Sequence, residues 1–256
     1  MGRRRAAPEL VEALGELAVL RDAKRPTGRL LRQGGMDASY VDLADPRHVE
    51  FDYLRRMRDL VELCGARRVV HVGGAGCALA RALAAAYPEH RQDVIEREPA
   101  VLDLARRRLG LRRMPGLKVR VGDGRAVLAE RPDGSADAVL IDAFEGARVP
   151  RHLVTVEACA DLARVSALAA VNVVDTSWGP GAGALAAALA SAFPHTLAIA
   201  SPGRRGGNVV LVGAQEPLPV ERLRARAAAD VSPGFVGPLR EDTAPWRDEP
   251  VAVNSG

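Results

Sequence analysis

Four apolar runs in this chain end in glycines or in a carboxylate, and those ends are where its chemistry would lie. Residues 69–81 read VVHVGGAGCALAR: an apolar run, then Gly73, Gly74 and Gly76, then a helix-forming stretch. Glycines at a strand-to-helix turn permit a tight bend and let a ligand approach the main chain. The N–H groups that open the helix face such a ligand. Glu96 ends the next run, 20 residues after Gly76. An acid there accepts hydrogen bonds from both ribose hydroxyls of a nucleoside. Asp123 ends the third run, between Gly122 and Gly124. A carboxylate there can accept from an exocyclic adenine amine, with glycine neighbours keeping the rim open. Asp142 ends the fourth run, and Glu145 follows three residues later.

Each feature alone has a plainer explanation. A glycine-rich turn is often only a turn, and acids ahead of helices serve as caps. Taken jointly, four successive run ends delivering glycines and three acids to one rim point to a nucleoside site. Asp142 and Glu145 keep two readings: they flank an acceptor, or they cap a turn before Pro150. Charge selects the nucleoside. The place of a dinucleotide turn's third glycine is taken by Leu79, and the rim is acidic, which favours a cationic sulfonium nucleoside over a polyanion. S-adenosylmethionine or its decarboxylated form is therefore the expected co-substrate. No metal is expected, because the five histidines and three cysteines show no ligand spacing. Among the remaining polar and aromatic residues, Tyr40 and Tyr53 have two readings: they line the pocket, or, the plainer one, they serve in the core or as staples. His71 is expected as a satisfied, partly buried histidine rather than a catalytic base, and Arg151 and His152 as surface residues near the mouth. Trp178, with Asp175 and Ser177, either shapes the acceptor side or anchors a loop.

The elements that must position these residues alternate. Strands are expected at 68–72, 92–95, 117–121, 136–141 and 168–174, and helices at 77–87, 99–109, 125–130, 155–164 and 182–193. Such alternation implies parallel strands with right-handed crossovers. The runs are apolar throughout, as in strands covered on both faces. Strands at 196–200 and 208–212 are joined too closely for a crossover and should pair antiparallel. A last helix is expected at 220–228. Ahead of the sheet, apolar residues at helical spacing suggest a helix over 8–20, and Gly34-Gly35 suggests a hairpin of 29–31 with 39–43. A further helix runs from Asp45-Pro46 to Cys64. The expected fold is α/β: a Rossmann-like class I methyltransferase fold with a mostly parallel seven-stranded sheet and a C-terminal antiparallel hairpin. The division is residues 1–64 for the N-terminal helix, hairpin and helix, 65–230 for the nucleoside-binding domain, and 231–256 for a Pro/Gly-rich tail.

Composition removes other classes. At 48% apolar and 27% charged residues, the 256-residue chain can offset the entropy of ordering. Its net charge of +4 comes from dispersed arginines, and aromatics are only 4%, so a nucleic-acid partner is not expected. No apolar run approaches ~18 residues, so no membrane span is expected. A cytoplasmic setting is expected from three separate cysteines without a C-x-x-C.

The segments VVHVGGAGCALARALAAAYP, DVIEREPAVLDLAR, VRVGDGRAVL and DAVLIDAFEGARVPRHLVTVE, in that order, resemble the spermidine synthase (polyamine aminopropyltransferase) family, most of all its bacterial synthase-like branch. The likeness runs from about Ser39 to Val174. It implies that Glu96 holds the ribose, Asp123 the adenine and the 73–76 turn the nucleoside tail. It also implies that Asp142 is the acid that helps deprotonate the attacking amine, and that Glu145 stands where the family has a second acid for the polyamine. The chain departs from the pattern in three places. Its first loop lacks the family's acid. Leu54 and Arg55 follow Tyr53 where the family has His-Glu, and an Arg would repel a polycation. Its N-terminal β region is shortened to about one hairpin, with Ser39 near the place of the usual Gln. The resemblance implies transfer of an alkyl group to a small molecule, a polyamine or other amine; relatives in this family commonly form homodimers, and the residues leave the oligomeric state of this chain open. A small-molecule methyltransferase and a non-catalytic nucleoside-binding homologue are the other two readings.

Overall fold

The computed structural model describes residues 8–174, 180–200, 207–240 and 243–249. The chain opens with four antiparallel strands in sequential order: β1 (Glu9–Leu14), β2 (Leu17–Arg21), β3 (Gly28–Gln33) and β4 (Met36–Asp42). The helix expected over 8–20 is therefore a hairpin. Gly15, at φ +57, turns the chain in the middle of that stretch, a conformation a helix cannot carry. Beyond it, Leu17 and Val19 alternate inward with strand period. The Gly34-Gly35 turn stands as expected. Both glycines have positive φ and join Gln33 to its partner Met36, the two-residue connection that matches strand twist. The single expected hairpin is thus half of a four-stranded meander. Its inner residues Leu17, Val19, Leu31 and Val41 belong to the same apolar cluster as Met57 and Leu60 of the next helix.

That helix, α1 (Asp52–Leu63), begins later than Asp45-Pro46 suggests, because His48 N–H closes a turn onto Asp45 first. The main sheet has the order β12-β10-β11-β9-β8-β5-β6-β7. Five strands run parallel: β5 (Arg68–Gly73), β6 (Arg91–Glu96), β7 (Leu117–Val121), β8 (Ala136–Asp142) and β9 (Ser166–Val174). The expected hairpin forms from β10 (His195–Ala200) and β11 (Asn208–Ala214), with β11 inserted antiparallel beside β9. The seven expected strands gain an eighth from the tail, the three-residue β12 (Phe235–Gly237). Helices α2 (Ala78–Ala86), α3 (Pro99–Arg108), α4 (Gly124–Glu130), α5 (Val156–Val165), α6 (Pro180–Ala192) and α7 (Val220–Ala229) complete the α/β alternation.

Neighbouring residues on β5 show how the sheet is covered. Val69 enters the cluster with Met57 and Leu104, while Val70 enters the one with Leu162 and Leu185. Both faces are thus dry, as continuous apolar strands require. Strand order reverses direction at β5, which has β6 on one side and β8 on the other. The carboxyl ends of these strands meet at one rim, where open α/β sheets hold ligands. The tail is also tied down locally. Thr155 Oγ1 donates to Asp248 Oδ1 at 2.7 Å, and Val156 N–H donates to the Trp246 carbonyl at 2.8 Å, across the start of α5.

Candidate active site

The turn after β5 is shaped by its neighbour. Gly73 pairs with Asp142 across the parallel ladder, and the N–H of Gly74 donates to the Asp142 carbonyl at 3.0 Å. Four residues here have positive φ: Gly73 and Gly74, and also Ala75 (φ 45) and Cys77 (φ 58). Two non-glycine residues in that region mark strain held in a tight bend. Gly74 has no atom within 4 Å of where a Cβ would stand, so its open side is available to a ligand. Gly76 differs. It packs on Ser39 of β4, whose Oγ would lie 2.7 Å from a Cβ. Glycines 73 and 74 therefore line the hollow, and Gly76 does not.

Glu96 ends β6 and is buried, 8% exposed. Its Oε1 accepts the Glu98 N–H at 3.0 Å. Burial raises its pKa, offset in part by the N–H groups of Glu98, Ala75 and Arg97. The Ala75 contact joins the acid directly to the glycine turn. Asp123 caps α4, taking the Ala126 N–H at 3.0 Å, and its other oxygen meets His152 Nε2 at 3.1 Å. Burial works against its charge, but the Ala126 N–H and His152 outweigh this and hold its pKa low. Gly124 lies where any side chain would strike Val72 Cγ1, so close approach to β5 demands the glycine. His152 is exposed, as expected, and stands at the rim on Asp123.

Asp142 ends β8 beside Gly73. Its Oδ1 accepts Asn172 Nδ2 at 2.8 Å and its Oδ2 accepts the Tyr53 hydroxyl at 3.2 Å. Burial pushes its pKa up to about 6; the two hydrogen bonds oppose the rise and the charge of Glu96 adds to it. A carboxyl poised there is ionised at neutral pH and can take a proton. Tyr53 is not simply a core residue: its hydroxyl faces the acid, and burial drives its pKa well above the usual phenol range. Tyr40 keeps to the fold, donating to Asp22 at 2.7 Å. His71 is satisfied as expected, though buried rather than partly buried, against Gln92 at 2.9 Å, and burial lowers its pKa to about 4, so it is neutral.

Glu145 does not join Asp142. It is 59% exposed, does not line the cavity and pairs with Arg97 at 2.8 Å, and it forms a bridge with Arg148 in the strand-end loop. Of the two readings kept for these acids, the one in which both flank an acceptor lacks support here, because only Asp142 lines the cavity. Arg55 does line the cavity, but Asp230 grips it through two bonds of 2.8 and 2.9 Å, so the repulsion expected of it is largely neutralised. The residues Asp175, Ser177 and Trp178 lie outside the described residues.

Glycines 73 and 74, Glu96, Asp123, Gly124 and Asp142 line one cavity of about 720 Å³. The meander roofs it with Glu16, Gln33 and Asp37, and α1 and the loop before it add Glu50, Asp52 and Tyr53. Its lining holds eight carboxylates, against two guanidiniums, Arg55 and Arg97, both in ion pairs. Sequence reasoning missed Asn172, although a lone amide inside the apolar run 168–174 is a signal. It also missed Gln33, which no local pattern marks. Among the described residues, no group of three or more His, Cys, Asp or Glu could hold a metal, and no helix is long and apolar enough to cross a membrane.

Comparisons with known proteins bear on the sequence and the fold. No protein-family model matches the chain. Over 140 residues, 54% of this chain and 46% of the relative, it is 30% identical to a polyamine aminopropyltransferase of Vibrio vulnificus. The match thus spans about half the length of that relative. A probable spermidine synthase of Corynebacterium glutamicum superposes with a TM-score of 0.85, at 25% identity, over 98% of this chain and 99% of that one. Human methyltransferase-like protein 13 in complex with SAH superposes at 0.55, with 20% identity, over 68% of this chain and 84% of that one, a likeness of fold. In sequence and in architecture the chain is spermidine synthase-like, built on the class I methyltransferase fold.

Proposed function

We propose that this chain transfers an alkyl group, aminopropyl by preference, from an adenosyl sulfonium to the nitrogen of a small amine. The observation that carries this reading is Asp142, a buried acid with a pKa near 6 on the floor of an acidic cavity, adjoining the glycine turn. Glu96 would hold the ribose and Asp123 the adenine amine, with Gly73 and Gly74 against the tail of the nucleoside. In the reaction the amine nitrogen attacks the carbon on sulfur from the side opposite sulfur. The C–N bond forms as the C–S bond breaks, the electron pair of that bond stays on sulfur, and a neutral thioether leaves. The proton shed by nitrogen passes to Asp142. Position supplies most of the acceleration, because the sulfonium is already a good leaving group.

The charge of the lining favours the decarboxylated donor. Both guanidiniums are engaged, which leaves no free Arg or Lys among the described lining residues for an α-carboxylate, while an acidic wall attracts an amine acceptor in its cationic form. Homodimerisation and a cytoplasmic setting belong to the same reading. Calorimetry with decarboxylated S-adenosylmethionine, S-adenosylmethionine and methylthioadenosine tests it, followed by a product assay with putrescine as the probe amine. The decarboxylated donor should bind at least tenfold tighter than the intact one and yield an aminopropylated amine. Asp142→Asn should abolish product while leaving donor affinity nearly unchanged. Tighter binding of the intact donor with methylated product would replace this reading by methyl transfer, and no binding of any of the three would remove catalysis from it.

A further inference from the structure

Asn172 is a polar residue where the fold has reason to place an apolar one. It sits within β9, fully buried, with apolar residues before and after it. Its amide is held at both ends. Nδ2 donates to Asp142 Oδ1 at 2.8 Å, and Oδ1 accepts Nδ2 of Asn208, on the adjacent strand β11, at 2.9 Å. An amide has one donor end and one acceptor end. With Asn208 donating to its oxygen, Asn172 presents its NH2 to Asp142. The reversed amide would set an oxygen against the carboxylate and leave two acceptors facing each other, which is tolerable only if Asp142 is protonated. We infer that Asn208 and Asn172 form a polarity lock that keeps Asp142 ionised and fixes the direction of its free lone pairs, making both asparagines positioning residues for the proton-accepting acid.

The inference rests on the reading of Asp142 as that acid, but its physical content can be tested without it. Among the described residues, few titratable groups face Asp142. Tyr53 from α1 donates to Oδ2 with Asp52 beside it, Glu96 from β6 adds negative charge, and neutral His71 of β5 shares a small void with it. Tyr53 and the lock are thus the groups that favour the charged form, against burial and Glu96. The lock spans three adjacent strands, β11, β9 and β8, so sheet register alone keeps it aligned.

The test is the titration of the Asp142 carboxyl carbon by NMR in the ligand-free protein. Asn172→Leu removes the donor and should raise the midpoint by about one unit or more, the size of a hydrogen bond to a charged group. Asn208→Ala removes only the group that orients the amide. Asn208 is partly exposed at the start of its strand, so this variant should fold. It should raise the midpoint in the same direction by a smaller amount. The acidic limb of any transferase pH–rate profile should move by the same shift. An unchanged midpoint in folded Asn208→Ala overturns the lock. Failure of the wild-type protein to transfer any group would overturn the proposed function instead, and would leave this titration as it stands.

Discussion

Gly73 and Asp142 stand side by side in the parallel ladder, so close that a Cβ on Gly73 would fall 2.5 Å from the Asp142 carbonyl oxygen. The ligand-facing turn and the candidate base are therefore one structural unit. A shift of either main chain moves the other. Gly73→Ala must find room against backbone, not against a flexible side chain, and must hold φ at +79. A loss of roughly 2–4 kcal/mol is expected from strain plus forced displacement. Gly74→Ala meets no atom within 4 Å and bears only the positive φ, for a loss of about 1–2 kcal/mol. Urea unfolding of both variants checks the contrast. Equal losses would show that β8 yields freely.

The same acid ties function to stability. Unfolded, Asp142 ionises near pH 4; folded, burial delays this to about 6. Below about pH 4 the group is neutral in both states. Between about 4 and 6 the folded protein holds a proton that the unfolded chain has lost, so stability falls as pH rises through that window. The full penalty, about 3 kcal/mol at most, is present above pH 6. Asp142→Asn removes the ionisation and keeps the shape. It should be more stable than the parent at pH 7 by about 1–3 kcal/mol, and the gain should shrink toward pH 4. Thermal or urea unfolding at the two pH values reads it. A variant destabilised at pH 7 would mean that Asp142 is stabilised by its partners more than it is strained by burial.

What could be read from residues alone depends on how local the controlling interactions are. The 73–76 turn, Glu96, Asp123 and Asp142 are punctuation: each ends an apolar run, so sequence order places them at one rim before any tertiary contact is known. The N-terminal meander is hidden for the opposite reason. Leu10 and Leu14, 58% and 45% exposed, recur at helical spacing without being buried, and only pairing with β2 makes them a strand. The role of Tyr53 depends on a partner 89 residues away, and that of Asn172 on β9 lying beside β8. Glu145 shows the converse error. Its spacing from Asp142 suits a pair, but Arg97, brought from the β6 end, pairs with it instead, and Glu145 does not line the cavity.

At Arg55 a partner distant in sequence overrides the local motif. Asp230, just beyond α7, binds Arg55 through both oxygens and meets buried Arg56 at 3.1 Å. Arg56 also donates to the Ser232 carbonyl, so the two arginines fasten the chain after α7 to the back of the cavity. Burial opposes the charge of Asp230, but the Arg55 hydrogen bonds chiefly prevail and bring its pKa to about 2. Its contribution to stability is present above about pH 4 and is lost as pH falls toward 2. Asp230→Ala leaves two guanidiniums without their anion, one of them 4% exposed at its side chain. A loss of roughly 3–5 kcal/mol is expected, since breaking a buried pair strands charge. The freed Arg55 would then face the cavity and weaken binding of a cationic acceptor. Conservative replacement separates the two effects. Arg55→Gln in the parent keeps Asp230 on Arg56 and removes the cation from the lining, so it should lose less stability and bind the probe amine no more weakly. Unfolding curves and calorimetry with putrescine measure both quantities on the same samples. If Asp230→Ala binds the amine as the parent does, Arg55 is not part of the acceptor wall.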